Sequence, residues 1–154
     1  MGVNASRVRM QQDKAASVTL RNAADGAETA TATETAISVN ALKGAYWQDG
    51  NEIPHGVFEI GVDVKDAQVG TAATYDFSIV GDDTANLSDT PVTLFSVRLP
   101  VAVGFYRFAL DSKTIMGLDN DHSGSDYWIA AKVTLGGSGG SITYGAWIGK
   151  SIAP

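Results

Sequence analysis

The chain has 154 residues, of which 44% are hydrophobic and 18% charged, and it contains no cysteine. The missing cysteines exclude disulfide scaffolds, thiolate metal sites and cysteine nucleophiles. The formal net charge of −6 disfavours a surface that neutralises phosphates, so we expect no direct nucleic-acid partner.

The first 21 residues carry the opposite charge to the rest of the chain. They contain four basic residues against one acidic residue, a charge of +3, which leaves −9 for residues 22–154. No apolar stretch follows the basic residues, and no apolar run approaches the ~20 residues that a membrane span needs. We therefore predict an extended basic arm over residues 1–21, synthesis in the cytoplasm and no membrane association.

Residues 22–36 follow as an Ala- and Thr-rich linker. This segment has no large apolar side chain, so we expect it to contribute nothing to a core. Its Ala and Glu content would permit a helix, but the alternating threonines favour an extended linker or a sheet edge.

The body, residues 37–154, has the period of β-strands. Apolar and polar residues alternate, and turns rich in Gly, Asp, Asn and Ser separate the apolar segments. Residues 103–110 are apolar on both faces apart from Arg107, which predicts a strand buried between layers. The sequence predicts an all-β jelly roll or β-sandwich of about eight strands with an N-terminal arm. The predicted strands are 37–42, 45–47, 58–64, 75–79, 93–99, 103–110, 127–135 and 142–148.

An acidic loop before one predicted strand has the spacing of a calcium site. Asp119, Asp121 and Ser123 occupy positions 1, 3 and 5 of an EF-hand loop, but position 12 is Ala130, where a bidentate carboxylate is needed. The EF-hand is excluded. A looser calcium site with Asp126 and a simple acidic turn are the two remaining interpretations. We predict no other metal site and no cofactor.

The segment Gly136–Gly140 matches the G-x-S-x-G motif of hydrolases around Ser138. That motif requires a strand–turn–helix context, whereas a strand follows here, so we predict a flexible hairpin loop. The two histidines, His55 and His122, lie far apart in the sequence and support neither a zinc triad nor a Ser-His relay. We predict no catalytic residue and no enzymatic activity.

Three aromatic residues are candidates for a carbohydrate-binding surface. Trp128 and Trp147 alternate with Ile129 and Ile148, so they point away from the face that those isoleucines occupy, and Tyr46 is the third candidate. The alternative is that these side chains fill the core, as aromatics of sandwich proteins commonly do.

The C-terminal half resembles the capsid cement (decoration) proteins of tailed bacteriophages. The resemblance rests on a strand that ends in VTLGG at 133–137 and, after a short loop, a terminal strand SITYGAWI at 141–148, preceded by FYRFAL at 105–110. The stretches TYDFSIVGDD at 74–83 and TLFSVRLP at 93–100 follow the same strand-turn-strand pattern, so the resemblance extends from about residue 53 to 148.

This resemblance implies a virion protein on the outer surface of an icosahedral head, made in the host cytoplasm, that stabilises the lattice of the major capsid protein. It implies no enzymatic residue. We expect the basic residues of the arm to contact the capsid or a neighbouring copy, and we expect self-association through a sheet edge. The alternative function is a carbohydrate-binding β-sandwich module on a phage surface or tail. The capsid-contact candidates are Arg7, Arg9, Lys14 and Arg21.

Overall fold

The computed structural model describes residues 17–39, 57–88, 90–111 and 127–150. Nine β-strands and one 3₁₀ turn, Ala23–Asp25, lie in these ranges, and no helix within them is long and apolar enough to cross a membrane. The strands are β1 Ser17–Arg21, β2 Ala32–Thr33, β3 Ile37–Ser38, β4 Val57–Ala67, β5 Thr71–Asp82, β6 Val92–Leu99, β7 Gly104–Asp111, β8 Trp128–Ser138 and β9 Ile142–Lys150.

The strands form two antiparallel sheets. The first sheet has the order β1-β9-β4-β7, and the second has the order β2-β8-β5-β6, with β3 also paired to β8. Strands β2 and β3 pair with successive parts of β8, so together they fill one position at the sheet edge. Each sheet therefore has four strand positions, which confirms the predicted all-β sandwich of about eight strands.

The pairing is nested in the manner of a jelly roll. Strand β5 pairs with β6, β4 with β7, β2 and β3 with β8, and β1 with β9. This is the arrangement of one long antiparallel ribbon rolled into two facing sheets. Neighbours in sequence thus lie in opposite sheets, except for β5 and β6 and for β2 and β3, which share one edge position.

The core lies between the two sheets and is filled by alternate residues of the strands. Phe58, Ile60 and Val62 of β4 face the core with at most 3% of their surface exposed, as their alternation with polar residues predicts. Phe77 of β5 meets Tyr144 of β9 edge to face, with ring centroids 6.1 Å apart, so aromatic side chains join the two sheets.

Strand β7 differs from its prediction as a strand buried between layers. It pairs only with β4 and forms the edge of the first sheet. Its inward Phe108 packs against Phe95 of β6, with ring centroids 5.6 Å apart, whereas its outward Phe105 lies beside Trp147. Side chains of neighbouring strands cover its two apolar faces, so a third layer is not needed.

The two ends of the sandwich are built differently. At one end, called the closed end, three short loops each connect a strand of one sheet to a strand of the other. These loops are residues 68–70, 100–103 and 139–141. Strand termini next to the undescribed segments, including Ser17, Asp111 and Lys150, lie at the opposite end. The glycine-rich segment is one of the closed-end connections, so it joins the two sheets and is not the predicted hairpin loop within one sheet.

Residues 17–36 lie along the edge of the sandwich, which changes the predicted boundaries of arm and linker. Ser17–Arg21 pairs with β9 as strand β1, and Ala32–Thr33 pairs with β8 as strand β2. Between them, Glu28 exchanges two backbone hydrogen bonds with Ile142, of 2.8 and 3.0 Å. The small Ala and Thr side chains suit this edge position, although the segment supplies little apolar surface.

Candidate functional site

A buried arginine joins the two sheets at this edge. Arg21 belongs to the first sheet, and its side chain has no exposed surface. Its Nε donates a hydrogen bond of 2.7 Å to Oε1 of Glu34, and its Nη2 donates one of 2.8 Å to Oε1 of Glu28. Glu34 follows β2 in the second sheet, so the ion pair with Glu34 bridges the sheets.

The remaining N–H groups of Arg21 donate to backbone carbonyls. Nη1 donates to the carbonyl oxygens of Tyr144 at 2.6 Å and Asn22 at 3.2 Å, and Nη2 also donates to that of Gly26 at 2.9 Å. A guanidinium has five N–H donors, and all five are used here. Its carbon also lies 4.6 Å from the centre of the Tyr144 ring. We call Arg21, Glu28, Glu34 and Tyr144 the Arg21 latch.

Local backbone features bring these residues together. The register of β1 against β9 shifts between Thr19 and Arg21, so the side chain of Arg21 turns toward the interior. Asn22 then caps the 3₁₀ turn, accepting a hydrogen bond from Ala24 and donating its backbone N–H to Asp25. This turn reverses the chain and carries the following glutamates back over Arg21.

The surroundings within the latch favour a charged Arg21 and a neutral Tyr144 hydroxyl. Burial opposes the charge of Arg21, but the hydrogen bonds to Glu28 and Glu34 and the charge of Glu34 outweigh it and raise the pKa of the guanidinium. Burial, together with the nearby charge of Glu34, raises the pKa of the Tyr144 hydroxyl well above its usual value. Near neutral pH Arg21 is therefore charged and the Tyr144 hydroxyl is neutral.

The capsid-contact prediction needs a correction for one residue. Arg7, Arg9 and Lys14 lie outside the described residues. Arg21 is 2% exposed, and its donors face internal acceptors, so it cannot form part of an exposed docking surface. The charge pattern grouped Arg21 with the arm because composition alone does not show that a bulge turns this side chain inward.

The predicted metal and hydrolase residues are mostly outside the described ranges. This applies to Asp119, Asp121, Ser123 and Asp126 of the calcium candidate and to both histidines. In the part of the chain that the structure describes, no group of three or more His, Asp or Glu side chains is placed to hold a metal ion. Ser138 ends strand β8, and a strand follows the loop, which is the strand–loop–strand context that the sequence indicates.

The two tryptophans of the carbohydrate prediction lie on opposite outer faces. Trp147 is on the first sheet, where its ring covers Gly145 and lies 6.4 Å from the ring of Phe105. Trp128 is on the second sheet, opposite Ser38 and Asp82. They cannot form one platform together, and Tyr46 lies outside the described residues.

The closed end exposes apolar side chains. Val69 is 73% exposed, and Val101 and Val103 are 38% and 66% exposed. Val69 lies in the β4–β5 connection, and Val101 and Val103 lie in the β6–β7 connection. These connections join neighbouring strands, because β4 pairs with β7 in the first sheet and β5 pairs with β6 in the second. Grouped apolar residues at a surface are typical of contact with another protein.

Comparisons with protein-family models, with curated proteins and with solved structures find no match for this chain. The arguments for function therefore come from the residues and their arrangement.

Proposed function

We propose that this protein is a virion structural protein that binds the outside of an icosahedral phage head and stabilises the lattice of its major capsid protein. The observation that carries the proposal is that the segments resembling cement proteins fold together. Residues 75–79, 93–99, 105–110, 133–137 and 142–148 are strands of one jelly-roll sandwich, a fold that viral capsid proteins use. Because jelly rolls also serve other functions, the resemblance of these segments is needed for the functional step.

The Arg21 latch supports this proposal. It fixes the first described strand to both sheets, so the basic segment before Ser17 joins a rigid edge of the body. In the proposal, Arg7, Arg9 and Lys14 bind acidic surfaces of the capsid, and the acidic body faces solvent. Attraction between opposite charges would guide docking and weaken as salt concentration rises.

Self-association is also part of the proposal. Strands β6 and β7 lie side by side at one edge of the sandwich, and each pairs with one described strand only, as β1, β2 and β3 do at the other edge. The turn between them holds the exposed Val101 and Val103. Unpaired strand edges next to exposed apolar residues favour contact with a second copy on the capsid.

Sedimentation with empty heads tests the proposal. The full chain is mixed with heads assembled from the major capsid protein encoded in the same genome, and bound chain is measured in the pelleted heads. We expect saturable binding and heads that withstand a higher temperature. Free chain sedimented alone reports its oligomeric state. Heads that pellet without the chain at any ratio would refute the capsid role.

A matched pair of double variants tests the basic segment separately. Arg7→Gln with Arg9→Gln removes two positive charges from the segment, and Arg98→Gln with Lys132→Gln removes two from the body. We expect the first variant to bind heads about tenfold more weakly, because it loses charge-assisted contacts, and the second to bind within about twofold of the wild type. If both double variants bind heads equally weakly, the loss comes from the more negative net charge of the chain and not from the basic segment in particular.

A further inference from the structure

The second sheet has a groove on its outer face, away from the closed end and bordered by Glu34 of the Arg21 latch. Its volume is about 510 Å³, within the range of small-molecule sites. Val80 of β5 and Lys132 of β8 contribute to it from the sheet, and residues 33–36, residues 85–87 and Pro91 line its sides. We call it the Lys132 groove.

The ammonium group of Lys132 has no ion pair or hydrogen-bond partner in the described residues. The other cations with described side chains each contact a carboxylate, as Lys65 does with Asp63 and Arg98 with Asp76. Glu34 also lines the groove, but its carboxylate binds Arg21. An unpaired, half-buried cation in a chain with 17 acidic and 11 basic residues favours an anionic ligand.

The other polar groups of the groove suit hydroxyl groups. Thr33, Thr35, Thr93 and Asn86 line it, and their side chains make no hydrogen bond within the described ranges. Threonine hydroxyls and the asparagine amide both donate and accept hydrogen bonds. Four such groups around one cation match a ligand with one negative charge and several hydroxyl groups.

The wall of the groove contains a strained residue. Leu87 has a φ of +53°, a left-handed conformation that a branched side chain rarely adopts. Its turn is closed by a hydrogen bond of 3.0 Å from its N–H to the carbonyl of Thr84. Strained backbone of this kind is typical of ligand-binding loops. Leu87 also supplies apolar surface on which the C–H face of a sugar ring would pack.

We propose that the Lys132 groove binds a carboxylated saccharide, with the carboxylate at Lys132 and the sugar hydroxyls at Thr33, Thr35, Thr93 and Asn86. A phosphate-rich ligand would need several cations, and the groove has one. An acidic peptide would leave most of the hydroxyl-binding groups unused. The site is separate from Trp128 and Trp147, and it does not depend on the capsid role.

NMR titration of the ¹⁵N-labelled full chain tests the proposal. The probes are galacturonic acid, which has one carboxylate, its methyl ester, which keeps the ring hydroxyls and loses the charge, and tetraglutamate as a carboxylated peptide. We expect the acid to bind about tenfold more tightly than the ester, with the largest shift changes at the backbone amides of Thr33 and Lys132. Equal binding of acid and ester, shift changes confined to other residues, or binding of tetraglutamate alone would each overturn the proposal.

Two variants locate the charge and the hydroxyl contacts. Lys132→Gln should remove the preference for the acid, whereas Arg98→Gln, which removes a cation from the same face outside the groove, should retain it. Asn86→Ala should weaken binding of both acid and ester by a similar factor, because it removes a contact that they share. All three side chains are at least partly exposed, and an unchanged spectrum of each free variant confirms its fold. A Lys132→Gln variant that still prefers the acid would refute the assignment.

Discussion

Replacing Arg21 with methionine tests whether the latch stabilises the sandwich. The substitution keeps a long side chain and removes all five hydrogen-bond donors together with the charge. Glu28 and Glu34 then lose their cation, and the carbonyl of Tyr144 loses a buried hydrogen bond of 2.6 Å. We expect a large loss of stability, because the two carboxylates and the carbonyl oxygen stay largely buried from water but no longer have the hydrogen bonds that compensated for their burial.

The size of the effect follows from the burial of these partners. Removing one member of a fully buried ion pair costs about 3–5 kcal/mol. The carboxylate side chains of Glu28 and Glu34 keep 26% and 16% of their surface exposed, so water compensates them in part, and the lower limit applies. We therefore expect a loss of about 3 kcal/mol, which corresponds to a urea midpoint lower by about 2 M if the m value is near 1.5 kcal/mol/M.

Urea unfolding followed by circular dichroism measures this change. Arg98→Met is the matched control, because Arg98 also binds a carboxylate through two N–H groups, at 2.8 and 3.0 Å, but on the exposed surface. We expect its midpoint to stay close to that of the wild type. Adding Glu28→Gln and Glu34→Gln to Arg21→Met should restore part of the loss, since no unpaired carboxylate remains. If Arg21→Met and Arg98→Met unfold at the same urea concentration, the latch does not stabilise the sandwich.

Two further predictions concern the closed end and alkaline pH. Gly137 has a φ of +74°, and a Cβ atom there would lie 2.4 Å from the carbonyl oxygen of Ala72, so Gly137→Ala should cost about 3 kcal/mol in urea unfolding. Gly139→Ala, at a similar φ of +67° with no atom closer than 4.0 Å, should cost about 1 kcal/mol, and equal losses would contradict the steric argument. Burial raises the pKa of Tyr127 and Tyr144 above 10.0, so the unfolded chain ionises first and stability should fall as the pH rises above 10. Tyr144→Phe should reduce that slope. If the part of the tyrosinate absorbance that Tyr144→Phe removes increases before the circular dichroism changes, the assignment to Tyr144 is refuted.

Alternation along single strands predicted the core well. The core positions of Phe58, Ile60 and Val62 could be predicted without knowing which strands pair with β4, because a period of two places these residues on one face. The same reasoning misplaced β7 in a central position. Its apolar residues on both faces do not show whether a further layer or neighbouring side chains such as Trp147 cover them.

The latch could not be predicted from local patterns. Arg21, Glu28 and Glu34 stand in a segment without apolar periodicity, and the alternating Ala and Thr residues suggested only an edge or a linker. Their convergence depends on Tyr144, which lies 123 residues from Arg21 in the sequence. The Lys132 groove depends likewise on segments from four parts of the chain. Sequence spacing reveals such sites only when their residues belong to one motif.

The position of Arg21 has a mechanical consequence for strand β1. A pulling force on Ser17 acts at the end of the β1–β9 ladder, because Ser17 pairs with Gly149 at the end opposite the connection between β8 and β9. Such a force separates hydrogen bonds one after another and so peels the strand easily. After four residues it reaches Arg21, whose side chain is held by both sheets. The latch therefore resists further separation of β1 from β9 at Arg21, before the separation reaches the core.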